Sequence, residues 1–147
     1  MIKNLERYLN EETIQSNIKV TDWKDAVTLG SKPLLEKEYI NKKYIESMIN
    51  AVKEHGPYMV LADNFALMHA RPEDGVNKTS MSMLISKDVL DMEGKPVKIF
   101  LILAASDNES HINALSQITE LLSNEKNFDI FMQGDKKEIL ELIKGGE

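Results

Sequence analysis

Apolar positions along this chain follow a helical period, then a strand period, then a helical period again. Asn4 to Asn10 reads as a short helix, leading into an extended stretch from Thr13 to Val20. Asp22 is a residue of N-cap type, and the helix behind it carries Trp23, Ala26, Val27 and Leu29 inward. Gly30 is expected to end that helix, with Pro33 opening a continuation through Leu34 and Leu35. Asn41 caps the next helix, whose one face gathers Tyr44, Ile45, Met48, Ile49 and Val52. Gly56-Pro57 stops it.

Beyond that stop the period shortens. Tyr58 to Ala62 is an apolar run of strand type, Asp63-Asn64 a turn, and Phe65 to His69 a second strand. Arg71 to Lys78, polar and holding Pro72 and Gly75, reads as a loop. Ser80 to Ser86 alternates, with Met81, Met83 and Ile85 on one side and Ser80, Ser82, Leu84 and Ser86 on the other. Gly94-Lys95-Pro96 turns into Val97 to Ala105, a nearly continuous apolar strand suited to the middle of a sheet. Ser106 and Glu109 have the spacing of a capping box, and the helix behind them points Ile112, Leu115, Ile118, Leu121 and Leu122 inward. Two shorter helices follow, around Phe128 to Met132 and Lys136 to Ile143. The sum is an α/β fold: a mixed sheet of four or five strands sandwiched by helices.

Length and charge narrow the picture further. With 147 residues and no Gly/Ser/Pro-rich linker or internal repeat, residues 1–147 read as one domain. There is no cysteine, which excludes disulfides, thiolate metal sites and thiol nucleophiles. Neither a signal-peptide core nor an apolar run of membrane-spanning length is present, so a cytoplasmic protein without membrane insertion is expected. The formal net charge of −6 argues against nucleic-acid binding, which needs a basic face.

Chemistry has few places to live. Histidine alone has an unperturbed pKa near neutrality, and the chain has His55, His69 and His111. His55, at a helix C-terminus, reads as a solvated residue favoured by the helix dipole. His69 ends a buried strand and enters a polar loop, held by the sheet yet open to solvent. His111 lies at a helix start, where the dipole favours an anion nearby. No H-E-x-x-H, G-x-S-x-G, G-x-G-x-x-G or Walker-type loop occurs, and no metal or cofactor is expected. Met59, Met68, Met81 and Met83 read either as core or as an adaptable docking rim. Asp63, Glu73 and Asp74 flank His69 and would attract a basic partner face.

The segment GPYMVLADNFALMHARPEDGV, residues 56 to 76, resembles the active-site region of enzyme IIA components of the bacterial phosphoenolpyruvate-dependent sugar phosphotransferase system. The resemblance is to the mannitol–fructose class and, within it, to the ascorbate-type branch, whose A-(L/I)-P-H-A-R-P hallmark stands here as ALMHARP. A second stretch, LILAASDNESHINALSQITELL, is similar to that family's apolar strand followed by a D-N-x-x-H helix start. Trp23, Ala26 and the Tyr44-Ile45-x-x-Met48 helix fit its N-terminal part. The resemblance implies that His69 accepts a phosphoryl group from the phosphocarrier protein HPr and passes it to enzyme IIB, which serves a membrane enzyme IIC in sugar uptake. His111 is then the second active-site histidine, stabilising the phosphoryl group without carrying it. This chain departs from the family at Met68, where proline usually precedes the histidine, and in lacking the mannitol branch's upstream arginine. Arg71 is the available guanidinium, and Ser80 and Ser82 are candidate hydroxyl donors to the phosphate, with a solvent-side structural role as their alternative. A regulatory module of the same fold, read out by a transcription factor or enzyme, is the second reading. A hydrolase using His69 as base is the third.

Overall fold

In the computed structural model, which describes residues 4–107 and 109–145, a five-stranded sheet runs in the order β1-β4-β5-β3-β2. The elements in chain order are α1 (Asn4–Tyr8), β1 (Ile14–Ile18), α2 (Trp23–Glu36), α3 (Lys42–His55), β2 (Val60–Ala62), β3 (Asn64–Met68), β4 (Ser80–Met92), β5 (Lys95–Ala104), α4 (Ile112–Ser123), α5 (Glu125–Gln133) and α6 (Lys136–Gly145), with a 3-10 turn at Pro72–Asp74. β3 lies parallel to β5 and β1 parallel to β4, while the β2–β3 and β4–β5 pairs are antiparallel. The sheet is therefore mixed, as the sequence pattern predicts, and has the larger of the two expected strand numbers.

Each face of the sheet carries its own core. Ala66, Met68, Leu84, Phe100 and Ile102 pack against α2 and α3, while Phe65, Met81, Met83, Leu101 and Leu103 pack against the N-terminal and C-terminal helices. The unbroken apolar run of β5 follows directly, because alternate residues serve different cores. Met59, Met68, Met81 and Met83 are fully buried, which decides for core over docking rim. The boundaries of α3 are those the sequence predicts: Asn41 Oδ1 accepts from the Tyr44 amide at 3.2 Å, and Gly56 at φ 88° closes it with an N–H to Val52 O bond of 2.8 Å.

Helix α2 does not end at Gly30. It runs unbroken through Gly30 and Pro33, and the sheet explains both residues. A Cβ at position 30 would stand 3.2 Å from Leu84 Cβ, so glycine is what lets the helix lie this close to β4. Pro33 has no N–H to give the Leu29 carbonyl, and Gln15 Nε2 takes that place at 2.7 Å. Ser82 Oγ donates to the Gly30 carbonyl at 2.6 Å. The serines of β4 are thus small residues under a close helix and not a solvent face: Ser80, Ser82 and Ser86 are all buried.

Other expectations shift. β4 continues past Ser86 to Met92, and a two-residue turn at Glu93 and Gly94, φ 49° and 103°, returns the chain into β5. The strand expected from Tyr58 begins only at Val60, and Tyr58 is half exposed. Ser106 does not cap α4, which begins at Ile112. Its amide and hydroxyl instead meet Thr79 Oγ1, and Asp107 takes up the Glu109 and Ser110 amides. Asn108 of that expected box lies outside the described residues. With the helix starting later, Ile112 is exposed and Ala114 takes the inward place with Ile118, Leu121 and Leu122. Among the described residues no helix is long and apolar enough to cross a membrane.

Gly30→Val tests the close approach of α2. Overpacking against Leu84 and Ile102 is expected to cost about 1–3 kcal/mol, read as a lower urea midpoint with an unchanged m-value.

Candidate functional site

Parallel neighbours β3 and β5 end at the same edge of the sheet, with Met68 paired to Ile102. In open α/β sheets the crevice beyond such strand ends is where ligands meet the chain. The residues that follow each strand carry the candidate histidines: His69 comes directly after β3, and His111 stands at the end of the loop that leaves β5.

His69 is half-buried, and its Nδ1 lies 2.9 Å from the carbonyl oxygen of Leu67. A carbonyl can only accept, so Nδ1 carries a proton, and in the neutral ring Nε2 is the nitrogen with the lone pair. The bond also fixes the ring plane. Tyr58 sets its ring edge-on to His69, centroids 6.4 Å apart at 87°, and meets His55 on its other side at 6.4 Å and 71°. His55 is exposed in the last turn of α3, the place its sequence context gives it.

Past His69 the chain is stapled to the fold by α3. The Tyr44 hydroxyl donates to Leu103 O at 2.6 Å and accepts from the Ala70 amide at 3.0 Å, joining the histidine loop to the end of β5. Burial pushes this hydroxyl up to about 12, so it stays a neutral donor. Asn41 adds a second tie, its amide donating to Gly75 O at 3.0 Å. Gly75 has φ 139°, and a Cβ there would run into Asn41 Oδ1 at 2.1 Å, so the loop can close onto α3 only at a glycine. The sequence pattern placed Tyr44 in the core by its helical face and said nothing of this bridge. The available signal was chemical: a buried tyrosine needs a partner for its hydroxyl.

Arg71 is mostly exposed and only loosely held, Nε standing 4.0 Å from Asp74 Oδ2. Its guanidinium is therefore free to reach an arriving anion. His111 occupies the N-cap position of α4 but caps nothing, and its buried Nδ1 has no hydrogen-bond partner among the described residues. A buried polar atom left open at a helix start is where an anionic group can be received. Asp107, in the same loop, is held below the usual carboxylate range by the amides of Ser110 and Glu109.

The two candidate serines are not open to this site. Ser82 is wholly buried and gives its proton to Gly30 O, and Ser80 is nearly so and gives its proton to Lys78 O at 3.0 Å. Both hold the packing of β4. Beside the histidine loop a cleft of about 580 Å³ opens between Asn50, His55, Tyr58, Ala70 and Arg71. Among the described residues no group of three or more His, Asp or Glu side chains gathers to hold a metal ion. What the geometry offers is one oriented imidazole at the sheet edge, with Arg71 two residues on in the same loop and His111 in the loop after the neighbouring strand.

Comparison with known proteins gives this arrangement a context. Residues 7–146 match the family model described as phosphoenolpyruvate-dependent sugar phosphotransferase system, EIIA 2. The chain is 32% identical over 145 residues to the mannitol-specific cryptic phosphotransferase enzyme IIA component of Escherichia coli (strain K12), covering 97% of this chain and 99% of that protein. The solution structure of the mannitol-specific cryptic phosphotransferase enzyme IIA from Escherichia coli superposes with a TM-score of 0.86 at 31% identity, covering 97% of this chain and 99% of that one. Identity to the ascorbate-specific PTS system EIIA component of Shigella boydii serotype 4 (strain Sb227) is 34% over 137 residues, 90% of this chain and 89% of that protein. At 22% identity, the fold is also shared with the mannitol enzyme IIA of Escherichia coli in its complex with phosphorylated enzyme IIB, with a TM-score of 0.73 over 92% of this chain and 96% of that one.

Tyr44→Phe keeps the ring and removes the bridge, leaving the Ala70 N–H and Leu103 C=O without their partner. The expected loss is about 2–4 kcal/mol in thermal or urea unfolding, with faster hydrogen exchange at Ala70. The tyrosine's folded pKa lies above its unfolded value near 10, so the stability tied to it is whole below pH 10. That part is lost as the pH rises from about 10 to about 12, and the gap between wild type and Tyr44→Phe should narrow across that window.

Proposed function

The chain belongs to the EIIA 2 family of the phosphoenolpyruvate-dependent sugar phosphotransferase system, and on that premise we propose that His69 is its phosphoryl carrier. Its relatives are phosphotransferase components, and this chain is one of them. The observation that carries the assignment to His69 is the Nδ1–H to Leu67 O bond, which leaves Nε2 as a neutral, oriented nucleophile at the open edge of the sheet.

In the proposed step Nε2 of His69 attacks the phosphorus held on the donor, phosphorylated HPr. A new N–P bond forms as the donor's N–P bond breaks, and the donor nitrogen leaves with the electron pair. The reverse geometry then serves enzyme IIB: its nucleophile attacks the same phosphorus and Nε2 departs. In-line transfer of this kind builds negative charge on the three equatorial oxygens, and placed donors supply most of the stabilisation. Arg71 can fork across two of those oxygens once it leaves Asp74. His111 lends a nitrogen that has no other partner among the described residues.

Both partners are proteins in this reading, and the surface near His69 suits them. Tyr58 and Leu61 are 52% and 57% exposed on the β2 side, apolar area that a docking protein would cover. Asp63 and Glu73 would steer a basic partner face and make association salt-dependent. Such a relay works in the cytoplasm, ahead of a membrane enzyme IIC. One relative is specific for mannitol and another for ascorbate at nearly equal identity, and the relay chemistry is the same for either.

The assay is labelling by phosphoenolpyruvate in the presence of enzyme I and HPr. Wild type is expected to acquire an acid-labile, heat-sensitive phosphohistidine and to hand it to enzyme IIB, while His69→Gln stays unlabelled. Labelling of His69→Gln at the wild-type level would overturn the assignment. His111→Ala should still be labelled, at a rate lower by about 10²-fold, the scale of losing one preorganised donor.

A further inference from the structure

A second concavity opens on the same sheet edge, on the β4–β1 side, and the proposed relay makes no use of it. Its volume is about 380 Å³, inside the roughly 300–1,000 Å³ range of small-molecule sites. Neither His69 nor His111 lines it. We propose that it binds a small hydroxylated phosphate ester, of the sugar-phosphate class.

Charge is the first reason. Three cations from separate parts of the chain face this cavity: Arg7 of α1, Lys37 beyond α2 and Lys78 ahead of β4. Their gathering runs against a chain that is net acidic at −6. Arg7 and Lys78 have no carboxylate partner among the described residues. Their cationic groups lie over the Tyr8 ring, at 5.7 Å, and the Tyr39 ring, at 4.9 Å. Lys37 pairs with Glu12, whose side chain is not part of the lining. Among the described residues Asp107 is the one carboxylate on the wall, and it is already engaged by two backbone amides and the Ser110 hydroxyl. A wall with three cations and one engaged carboxylate suits a dianion better than a carboxylate monoanion.

Hydroxyl accounting is the second reason. Thr79 Oγ1 accepts from the Ser106 amide at 3.0 Å and is hydrogen-bonded to Ser110 Oγ at 3.0 Å. Thr79 Oγ1 and Ser106 Oγ stand 2.8 Å apart, a bond that can run in either direction, and the Ser110 hydroxyl also bonds the Asp107 carboxylate. Three hydroxyls thus share one edge of the cavity, each able to turn and give to, or accept from, a hydroxylated ligand. Cations set for the phosphate, with three hydroxyls and two tyrosines on the wall, match an ester whose other end carries hydroxyls.

The test is a nuclear magnetic resonance titration of the ¹⁵N-labelled chain with glucose 6-phosphate, inorganic phosphate and glucose as separate probes. Saturable shifts at the Thr79, Ser106 and Ser110 amides are expected with the ester, and binding at least about tenfold weaker with either half alone. The double variant Arg7→Gln with Lys78→Gln should weaken the ester by about tenfold or more, while His69→Gln should bind as wild type does. Three results would overturn the proposal: no saturation by about 20 mM ester, equal affinity in the double variant, or shifts confined to His69–Arg71. Equal binding of inorganic phosphate would likewise refute the ester in favour of a bare anion site. None of these outcomes bears on labelling of His69, so this proposal and the relay stand or fall separately.

Discussion

Strand β5 has to be covered on both faces. Val97 to Ala104 is almost wholly buried, with Phe100 and Ile102 against one set of helices and Leu101 and Leu103 against the other. Burial of that run is the largest hydrophobic term available to a chain of this size, and it forces helices onto both sides of the sheet. Once β5 is central, β3 and β4 take its two edges, and the loops after β3 and β5 come out side by side. The two candidate histidines therefore reach the same edge because of a packing requirement, before any chemistry is considered.

What turns that edge into a site is a handful of hydrogen bonds to backbone. Leu67 O fixes the tautomer and plane of His69, while Tyr44 ties Ala70 to Leu103. Neither bond touches Nε2, the nitrogen proposed to carry the phosphoryl group. Both restrict where it can point, and transfer between two protein partners rewards a nucleophile already in position. Arg71 and His111 differ in kind: one is loose and exposed, the other buried with an unfilled nitrogen. An arriving phosphoryl group would order the first and satisfy the second.

Much of the fold was legible from periodicity, since the switch from helical to strand spacing at Gly56-Pro57 and back after Ala105 marks real boundaries. What failed were rules of local propensity overridden by tertiary contact. Gly30 and Pro33 read as breakers, yet they lie inside α2 because Leu84 needs the missing Cβ and Gln15 replaces the missing amide. Ser106 read as a cap, yet Thr79, far away in sequence, takes its hydroxyl. In the site, the resemblance of the ALMHARP segment to the enzyme IIA active-site region singled out His69 and Arg71. It could not carry the ring's orientation or the Tyr44 bridge, since both depend on atoms brought in by other strands. Ser80 and Ser82 looked like phosphate donors for the same reason: alternation shows which residues share a face, and not whether a helix lies across it.

The central claim is that Leu67 holds the Nδ1 proton of His69 and so leaves Nε2 to carry phosphate. Long-range proton–nitrogen correlation spectra of the phosphorylated, ¹⁵N-histidine-labelled chain test it most directly, because they distinguish the two ring nitrogens. The account requires the phosphorus on Nε2 of His69, with Nδ1 still protonated and hydrogen-bonded. Phosphorus found on Nδ1, or on His111 or His55, would contradict it.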